Sequence, residues 1–186
     1  MVQTIESAGG PLICIEQDAL NLWQGVTGQG IAASTLENAD FPNDYELACS
    51  IDGYLGKLRL NQREALVLGD EPLSFFNWQP AGQLPTLVGI YYCDEFDEIP
   101  EMLPALQSLF LISPIESLHI TFHTPRICIF DSAWPGSDCL HKKSSFMIDV
   151  PPGHYIVETR LIQPDARTSL LLHTFVSSPH SAVDLG

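Results

Sequence analysis

Short apolar and aromatic segments separated by turn-forming residues dominate the chain from residue 55 onward. The segments are "GKLRL", "EALVLG", "LSFFNW", "TLVGIYYC", "SLHITFHT", "RICIF", "SFMIDV", "HYIVETRLI" and "SLLLHTF". Each has the length of a β-strand, and "SLHITFHT" alternates apolar Leu118, Ile120 and Phe122 with polar residues, as a half-buried strand does. The pattern predicts a mainly antiparallel β-structure.

The residues between these segments predict particular turns. Asn61 and Gln62 separate two strand segments by the two residues of a tight hairpin. Pro152 and Gly153 suit the central positions of a type II turn between "SFMIDV" and "HYIVETRLI". With "QPDART" as the next connection, the last three segments are predicted to form a C-terminal β-meander.

The first half of the chain also carries helical signals. In "EQDALNLWQG", Leu20 and Trp23 are three residues apart and Gly25 is a natural stop, and "NDYELACSI" is a second helix with Asn43 or Asp44 as its N-cap. Apolar residues recur at near-helical spacing from Phe96 to Phe110, although Pro104 should kink or shorten that helix. The predicted fold class is α+β, mainly antiparallel, with two or three short helices.

The chain length suits one domain. At 186 residues, it can bury a sizeable core without the help of a metal or a disulfide. We therefore expect a single compact domain over residues 1–186. A composition change near Ser113 allows for two lobes within it, an acidic α+β lobe at 1–113 and a β-meander lobe at 114–186.

Net charge narrows the class of partner. The chain has 23 acidic and eight basic residues, a formal charge of −15, and residues 1–113 contain 16 of the acids but only three of the bases. A nucleic-acid or anionic-membrane partner is not expected, because phosphate binding needs a basic surface. A protein partner with a basic surface fits this charge, and solubility alone is the other explanation.

Targeting and redox signals are weak. The start "MVQTIES" lacks the basic and apolar parts of a secretory signal, and no apolar run reaches the ~20 residues that cross a bilayer. We expect a cytoplasmic protein. The five cysteines are odd in number and form no C-x-x-C pair, so free thiols are expected.

No cofactor or metal site is predicted. His119 and His123 have a spacing that would join two metal ligands on a helix. On the strand predicted here, they would lie about 13 Å apart.

The acidic segment after "TLVGIYYC" is a candidate partner-binding edge. Aromatic side chains beside acids are typical of interfaces, where charges guide the approach of the partner. The candidate residues are Tyr92, Asp94, Glu95, Phe96, Asp97, Glu98 and Glu101. The alternative is a solvated helix start, since acids complement the positive end of a helix dipole.

Two other classes of function stay open. Asp52, Asp70 and Asp131 each follow an apolar run and could form the carboxylate site of a small hydrolase, if the ends of those runs converge. The alternative is that they are turn residues, as Gly69 and Pro72 around Asp70 indicate. A non-catalytic assembly subunit that associates through the aromatic strand "LSFFNW" is the third possibility.

Several segments together resemble the bacterial immunity proteins of polymorphic toxin systems, specifically the immunity protein 21 family. The segments are "IESAGGPLICI" with Trp23 and Gly25, "DYELACSIDGYLG", "EALVLGDEP", "ICIFDSAWPG" and "VPPGHYIV". The resemblance implies a protein that protects a bacterium by binding a cognate toxin, stoichiometrically and without turnover. It transfers no catalytic residue, and the matching Gly10, Pro11, Asp52, Gly53, Gly69, Asp70 and Pro72 are interpreted as determinants of the fold.

Overall fold

A computed structural model describes residues 3–34, 40–69, 71, 72, 74–94, 99, 103, 104, 112–139 and 145–178. The strands are β1 Thr4–Glu6, β2 Leu12–Glu16, β3 Leu55–Leu60, β4 Arg63–Leu68, β5 Ser74–Trp78, β6 Thr86–Cys93, β7 Glu116–Phe122, β8 Arg126–Asp131, β9 Ser145–Asp149, β10 Gly153–Asp165 and β11 Thr168–Ser177. The helices are α1 Asp44–Cys49 and α2 Gly136–Cys139, with 3₁₀ turns at Gln17–Leu22 and Gly25–Thr27.

The strands form two antiparallel sheets. The six-stranded sheet has the order β1-β5-β6-β11-β10-β7, and the five-stranded sheet has the order β3-β4-β2-β8-β9. Each sheet combines strands from both sides of residue 113. The predicted α+β class with mainly antiparallel strands is confirmed.

The helices are short, as predicted. The side chain of Asn43 accepts a hydrogen bond from the Glu46 amide at 2.8 Å and so caps α1. The segment predicted as the first helix is a 3₁₀ helix that ends at Leu22. Among the helices of the described residues, none has the length and apolar composition that a membrane-spanning helix requires.

The predicted turns have mixed outcomes. Asn61 adopts a left-handed conformation with φ of 60° between β3 and β4, which confirms the hairpin. β10 and β11 also pair, but the predicted meander is wrong at its first turn, because β9 belongs to the five-stranded sheet and β10 to the other. The prolines of this link lack an amide donor, and the Val150 amide bonds instead to the Pro125 carbonyl at 2.8 Å.

The main hydrophobic core lies between the two sheets, and the six-stranded sheet is buried on its other face as well. On β5, Phe75 belongs to the main core, whereas Phe76 belongs to a second cluster with Val88, Leu170 and Leu172. Ile99, Leu103 and Ile162 also belong to this second cluster, and the Leu103 amide bonds to the Ile99 carbonyl at 3.1 Å. Apart from Pro104, the rest of the predicted helix from Phe96 to Phe110 lies outside the described residues.

One histidine is buried in the main core. His173 on β11 has no solvent exposure, stacks on the Phe75 ring at 5.8 Å between centroids, and has its Nδ1 2.9 Å from the Thr159 hydroxyl. Burial lowers the pKa of His173 to about 3, because the interior disfavours the charged imidazolium. The ring is therefore neutral at physiological pH.

The sheets approach each other at the β7 side, where two hydrogen bonds join them. The Thr121 amide donates to Glu64 at 2.8 Å, and the Tyr54 amide donates to Glu116 at 2.7 Å. These bonds lie at opposite ends of β7. We call the end with the β3–β4 turn, Glu16 and His123 the hairpin end, and the end with Tyr54, Glu71, Tyr91 and Tyr92 the bulge end.

Candidate functional site

The bulge end is built around an extra residue in β6. Along β11, Leu170 pairs with Ile90 and Ser169 pairs with Tyr92, so Tyr91 is inserted between them. In such a bulge, two residues face one on the partner strand. The hydroxyl of Tyr92 reaches across to β10 and accepts a hydrogen bond from the Gln163 side chain at 3.1 Å. Tyr92 is nevertheless 46% exposed.

Tyr92 shares a face of the six-stranded sheet with Leu161. Leu170 and Leu172 of β11 point into the second cluster, so Ser169 and Leu171 point to the other face. Ser169 pairs with Tyr92, and Leu171 pairs with both Gly89 and Leu161. Leu171 is buried, whereas Leu161 is 41% exposed. The large side chains of Tyr92 and Leu161 therefore lie on the same face of the sheet, on either side of β11.

Two loops of the other sheet reach this face. The Gly69 amide bonds to the Tyr54 carbonyl at 3.0 Å, which holds the loops that carry Tyr54 and Glu71 together. Pro72 lies directly over Gly89, where a side-chain Cβ would come within 2.5 Å of the proline ring. Glycine at position 89 thus permits the close approach of the loop to β6.

Tyr91 is held by these loops. Its hydroxyl is hydrogen-bonded to Tyr54. Burial, the neighbouring Tyr54 and the negative charge of Glu71 raise the pKa of Tyr91 to about 12. Tyr91 therefore remains a neutral phenol, which suits it to hydrogen bonding and not to acid–base chemistry near pH 7.

The predicted partner-binding residues fall partly on this site. Tyr92 is exposed at the end of β6 and Asp94 is exposed just beyond it. The other predicted residues, Glu95, Phe96, Asp97, Glu98 and Glu101, lie outside the described residues. Sequence reasoning places Tyr91 beside Tyr92 next to the acidic segment, but it misses Tyr54, Glu71 and Leu161 as members of the site. The adjacent tyrosines in "IYYC" do not by themselves indicate the bulge, because in a regular strand they would simply point to opposite faces.

The three acids of the hydrolase hypothesis have separate surroundings where they are described. Asp131 is buried and accepts hydrogen bonds from the amides of Ala8 at 2.7 Å and Ala133 at 2.9 Å. Asp52 is exposed, and Asp70 lies outside the described residues. Among the described residues, no three side chains of His, Cys, Asp or Glu gather as metal ligands would. Asp131 holds two turns of the backbone together.

The aromatic strand of the assembly hypothesis is internal. β5 lies between β1 and β6, and Phe75 and Phe76 are each only 1% exposed. The rings of Phe75 and Phe76 therefore pack within the two hydrophobic clusters of the same chain.

Trp23 and Gly25, which belong to the segments that carry the family resemblance, have structural roles near α2. Trp23 is buried and its indole donates to the Ser132 carbonyl at 2.9 Å. Gly25 has a φ of +56°, and a Cβ there would lie 2.3 Å from the Ala133 carbonyl oxygen. This position requires glycine both for its conformation and for its close contact.

Asp44 fixes the loop before α1. It is buried and accepts hydrogen bonds from the amides of Gln24 and Ala33, both at 2.9 Å. Burial raises the pKa of Asp44, and these hydrogen bonds oppose that shift. The carboxylate thus organises the backbone of the long loop.

The hairpin end contains a cavity of about 530 Å³ with basic side chains. Lys57, Arg59 and Arg63, which are all the basic residues of positions 1–113, line it together with His123. Arg63 bonds to Glu16 at 3.1 Å and to Asp18 at 2.7 Å, and Lys57 bonds to Glu64 at 2.9 Å. Most of the positive charge here is therefore matched by acids of the same chain.

Glu16 is the centre of this network. It has no solvent exposure and accepts hydrogen bonds from the amides of His123 at 2.5 Å and Thr124 at 2.6 Å, besides Arg63. A buried carboxylate is tolerated in a fold when it is paired and hydrogen-bonded, as Glu16 is here. Glu16 thus fastens the loop after β7 to the five-stranded sheet.

The five cysteines carry free thiols, and three of them are buried together. The Sγ atoms of Cys128 and Cys139 are 3.4 Å apart. Hydrogen bonding to Cys139, followed by burial, raises the pKa of Cys128, and burial raises the pKa of Cys14. These thiols are held in the neutral form, which is a poor nucleophile.

Comparison with known proteins gives one match. The family model for immunity protein 21 matches residues 3–168 of the 186-residue chain. No curated protein matches, and no solved structure does. The family match covers β1 to β10 and the first residue of β11. The chain therefore belongs to the immunity protein 21 family.

Proposed function

We propose that this protein neutralises a cognate bacterial toxin by direct stoichiometric binding. The observation that carries the proposal is membership of the immunity protein 21 family over residues 3–168. Binding would occlude or distort the toxin's active site. The immunity protein would itself perform no turnover and need no cofactor, and it would act in the cytoplasm.

The positions of the carboxylates, thiols and aromatic side chains in the fold support a binding role. Asp131 and Asp44 use their carboxylates to hold backbone amides, and the buried thiols of Cys14 and Cys128 are neutral. These groups stabilise the fold. The exposed aromatic and acidic side chains at the end of β6 remain for contact with another molecule.

We propose that the toxin presents a basic surface to the acidic edge that begins at Tyr92 and Asp94. This edge continues through Glu95, Phe96, Asp97, Glu98 and Glu101. A net charge of −15 would steer a basic partner toward this protein and raise the rate of association. A specific contact of this kind buries roughly 1,200–2,000 Å² in total.

Co-expression tests the function. The toxin domain encoded by the neighbouring reading frame is expressed in bacteria with and without this chain, and growth is measured. Titration calorimetry with a catalytically inactive toxin domain then measures affinity and stoichiometry. We expect rescue of growth and a one-to-one complex. Continued toxicity despite folded, abundant protein would contradict the proposal, as would rescue without measurable binding.

A charge-neutral variant tests the edge. In this variant, Asp94, Glu95, Asp97 and Glu98 are replaced by Asn or Gln. The matched control removes four exposed carboxylates elsewhere, at Glu6, Asp40, Glu46 and Asp149. We expect a larger loss of affinity from the edge variant than from the control. Equal affinities would remove the edge from the interface.

A further inference from the structure

We infer that the exposed face formed by Tyr92, Tyr91 and Leu161 at the bulge end is the docking surface for a positively charged face of the cognate toxin. This inference rests on the proposed function and adds to it the position of the apolar contact. The acidic edge alone would give steering and register. A stable complex also needs apolar and aromatic side chains that become buried.

The first supporting observation is that β10 continues beyond the point where its pairing with β7 ends. β10 is 13 residues long, and its pairing with β7 ends at Thr159 and Glu116. Leu161 follows that point and is 41% exposed, although its cross-strand neighbour Leu171 is buried. The apolar side of the sheet therefore continues into solvent.

The second observation is the chemistry of the aromatic side chains. Tyr92 is 46% exposed and is oriented by Gln163, while Tyr91 is oriented by its hydrogen bond to Tyr54. Tyrosine offers apolar ring area with a polar tip and loses little conformational entropy on binding. Two positioned tyrosines beside a leucine form the kind of anchor that dominates protein interfaces.

The third observation is the charge around this face. Glu71 and Asp94 are exposed, and neither forms an ion pair with any residue that the structure describes. Asp165, at the end of β10, accepts a hydrogen bond from the Arg167 amide. The cations in this part of the chain include Arg167 and Arg160, and Arg160 is already paired with Glu158 at 2.6 Å. The excess of carboxylates favours a basic occupant.

The same charges argue against a second copy of this chain as the occupant. A symmetric dimer through this face would bring Glu71 and Asp94 of both copies close together, because the same patch meets itself. Like charges across an interface cost several kcal/mol. The basic toxin surface is the occupant that the charge pattern fits.

The test compares a double alanine variant with a single alanine control. The first variant carries Tyr92→Ala and Leu161→Ala. The control carries Val176→Ala, which removes a side chain that is 40% exposed on β11 near the hairpin end. Circular dichroism and thermal unfolding first establish that each variant is folded. Calorimetry with the inactive toxin domain then measures affinity.

We expect the double variant to bind at least about 10-fold more weakly than wild type, and the control to bind within about 2-fold. Wild-type binding with an unchanged double variant would overturn this inference and leave the proposed function intact. Absence of wild-type binding would overturn both. A wild-type dimer in light scattering that the double variant abolishes would show that the face binds a second copy, which also overturns the inference.

Discussion

The two ends of the fold use charge in opposite ways. At the hairpin end, Arg63 is bonded to Glu16 and Asp18, and Lys57 is bonded to Glu64. At the bulge end, Glu71 and Asp94 are exposed without an ion-pair partner in the described part of the chain. The local composition of charged residues therefore does not by itself identify a binding surface. What matters is whether the charges are already matched within the fold.

The two ends also differ in the side chains that lie at their centre. The hairpin end closes around the buried Glu16, and the network there joins three separate segments of the chain. The bulge end leaves Tyr92 and Leu161 partly exposed on one face. We therefore expect mutations at the hairpin end to change stability, and mutations at the bulge end to change affinity.

The largest expected effect comes from dividing the chain at residue 113, because each sheet contains strands from both sides of this position. We propose that residues 1–186 fold as one unit, because β6 of the first half pairs with β11 of the second, and β2 pairs with β8. A fragment of residues 1–113 should give no cooperative thermal transition, whereas the whole chain should give a single one. A folded 1–113 fragment would establish two independent lobes instead.

The next largest effect is expected from Glu16→Ala. This change removes the acceptor of two part-buried amides and one of the two carboxylates that bind Arg63, and each such donor left without a partner costs about 1–3 kcal/mol. Urea denaturation measures the loss. Asp18→Asn is the control, because Asp18 binds the same guanidinium but is 48% exposed and should cost no more than about 1 kcal/mol. Equal losses would refute the central role of Glu16.

A smaller effect should appear in the pH dependence of stability, from His173 between the two ends. Its pKa is about 3 in the fold and has an ordinary value of 6.5, so the unfolded chain binds the extra proton between these values. The free energy of unfolding should therefore fall on acidification from pH 6.5, by up to about 1.4 kcal/mol per pH unit.

Denaturation at pH 6.5 and pH 5 tests this contribution. His173→Gln should remove about 2 kcal/mol of the difference between the two pH values. His119→Gln on the exposed side of β7 controls for the loss of a histidine as such. An equal change in both variants would contradict the assignment to His173.

Neutralising the bulge end should affect association. The double change Glu71→Gln and Asp94→Asn should lower the association rate constant with the toxin several-fold, up to about 10-fold, with less effect on dissociation. The difference from wild type should shrink at high salt because exposed charges are screened. Asp40→Asn with Asp149→Asn is the matched control. Association that is insensitive to salt would rule out electrostatic steering.

The smallest effect is expected for Lys57→Gln at the hairpin end. The ion pair with Glu64 joins a lysine side chain that is 38% exposed, and such pairs contribute roughly 0–1 kcal/mol. Stability should change by no more than about 1 kcal/mol in urea denaturation, and affinity for the toxin should be unchanged. A clear loss of affinity would bring the hairpin end into the interface.

Local features of the fold could be predicted from the sequence because each depends on a few neighbouring residues. The alternation in "SLHITFHT" identified the buried side of β7, and Asn61 identified the β3–β4 turn. Asn43 was identified as a candidate cap for the same reason. These signals come from side-chain direction and backbone preference within one segment.

Features that depend on distant pairing could not be predicted. Pro152 and Gly153 favour a turn, but nothing in them says that the chain passes there from one sheet to the other. Glu16 opens the segment "EQDALNLWQG", which predicts a helix, and nothing near it in the sequence indicates its distant partners Arg63 and His123. The bulge end likewise required the register of β6 against β11, which places Tyr92 and Leu161 on one face.

The bulge in β6 has a consequence for how such proteins can diversify. Because Tyr91 is an extra residue opposite Ser169, its loss would leave the pairs of Ile90 and Cys93 in register. A one-residue change in length at this point would therefore alter the number of aromatic rings offered to a partner while the sheet is preserved. Evolution could retarget the protein there without having to redesign its interior.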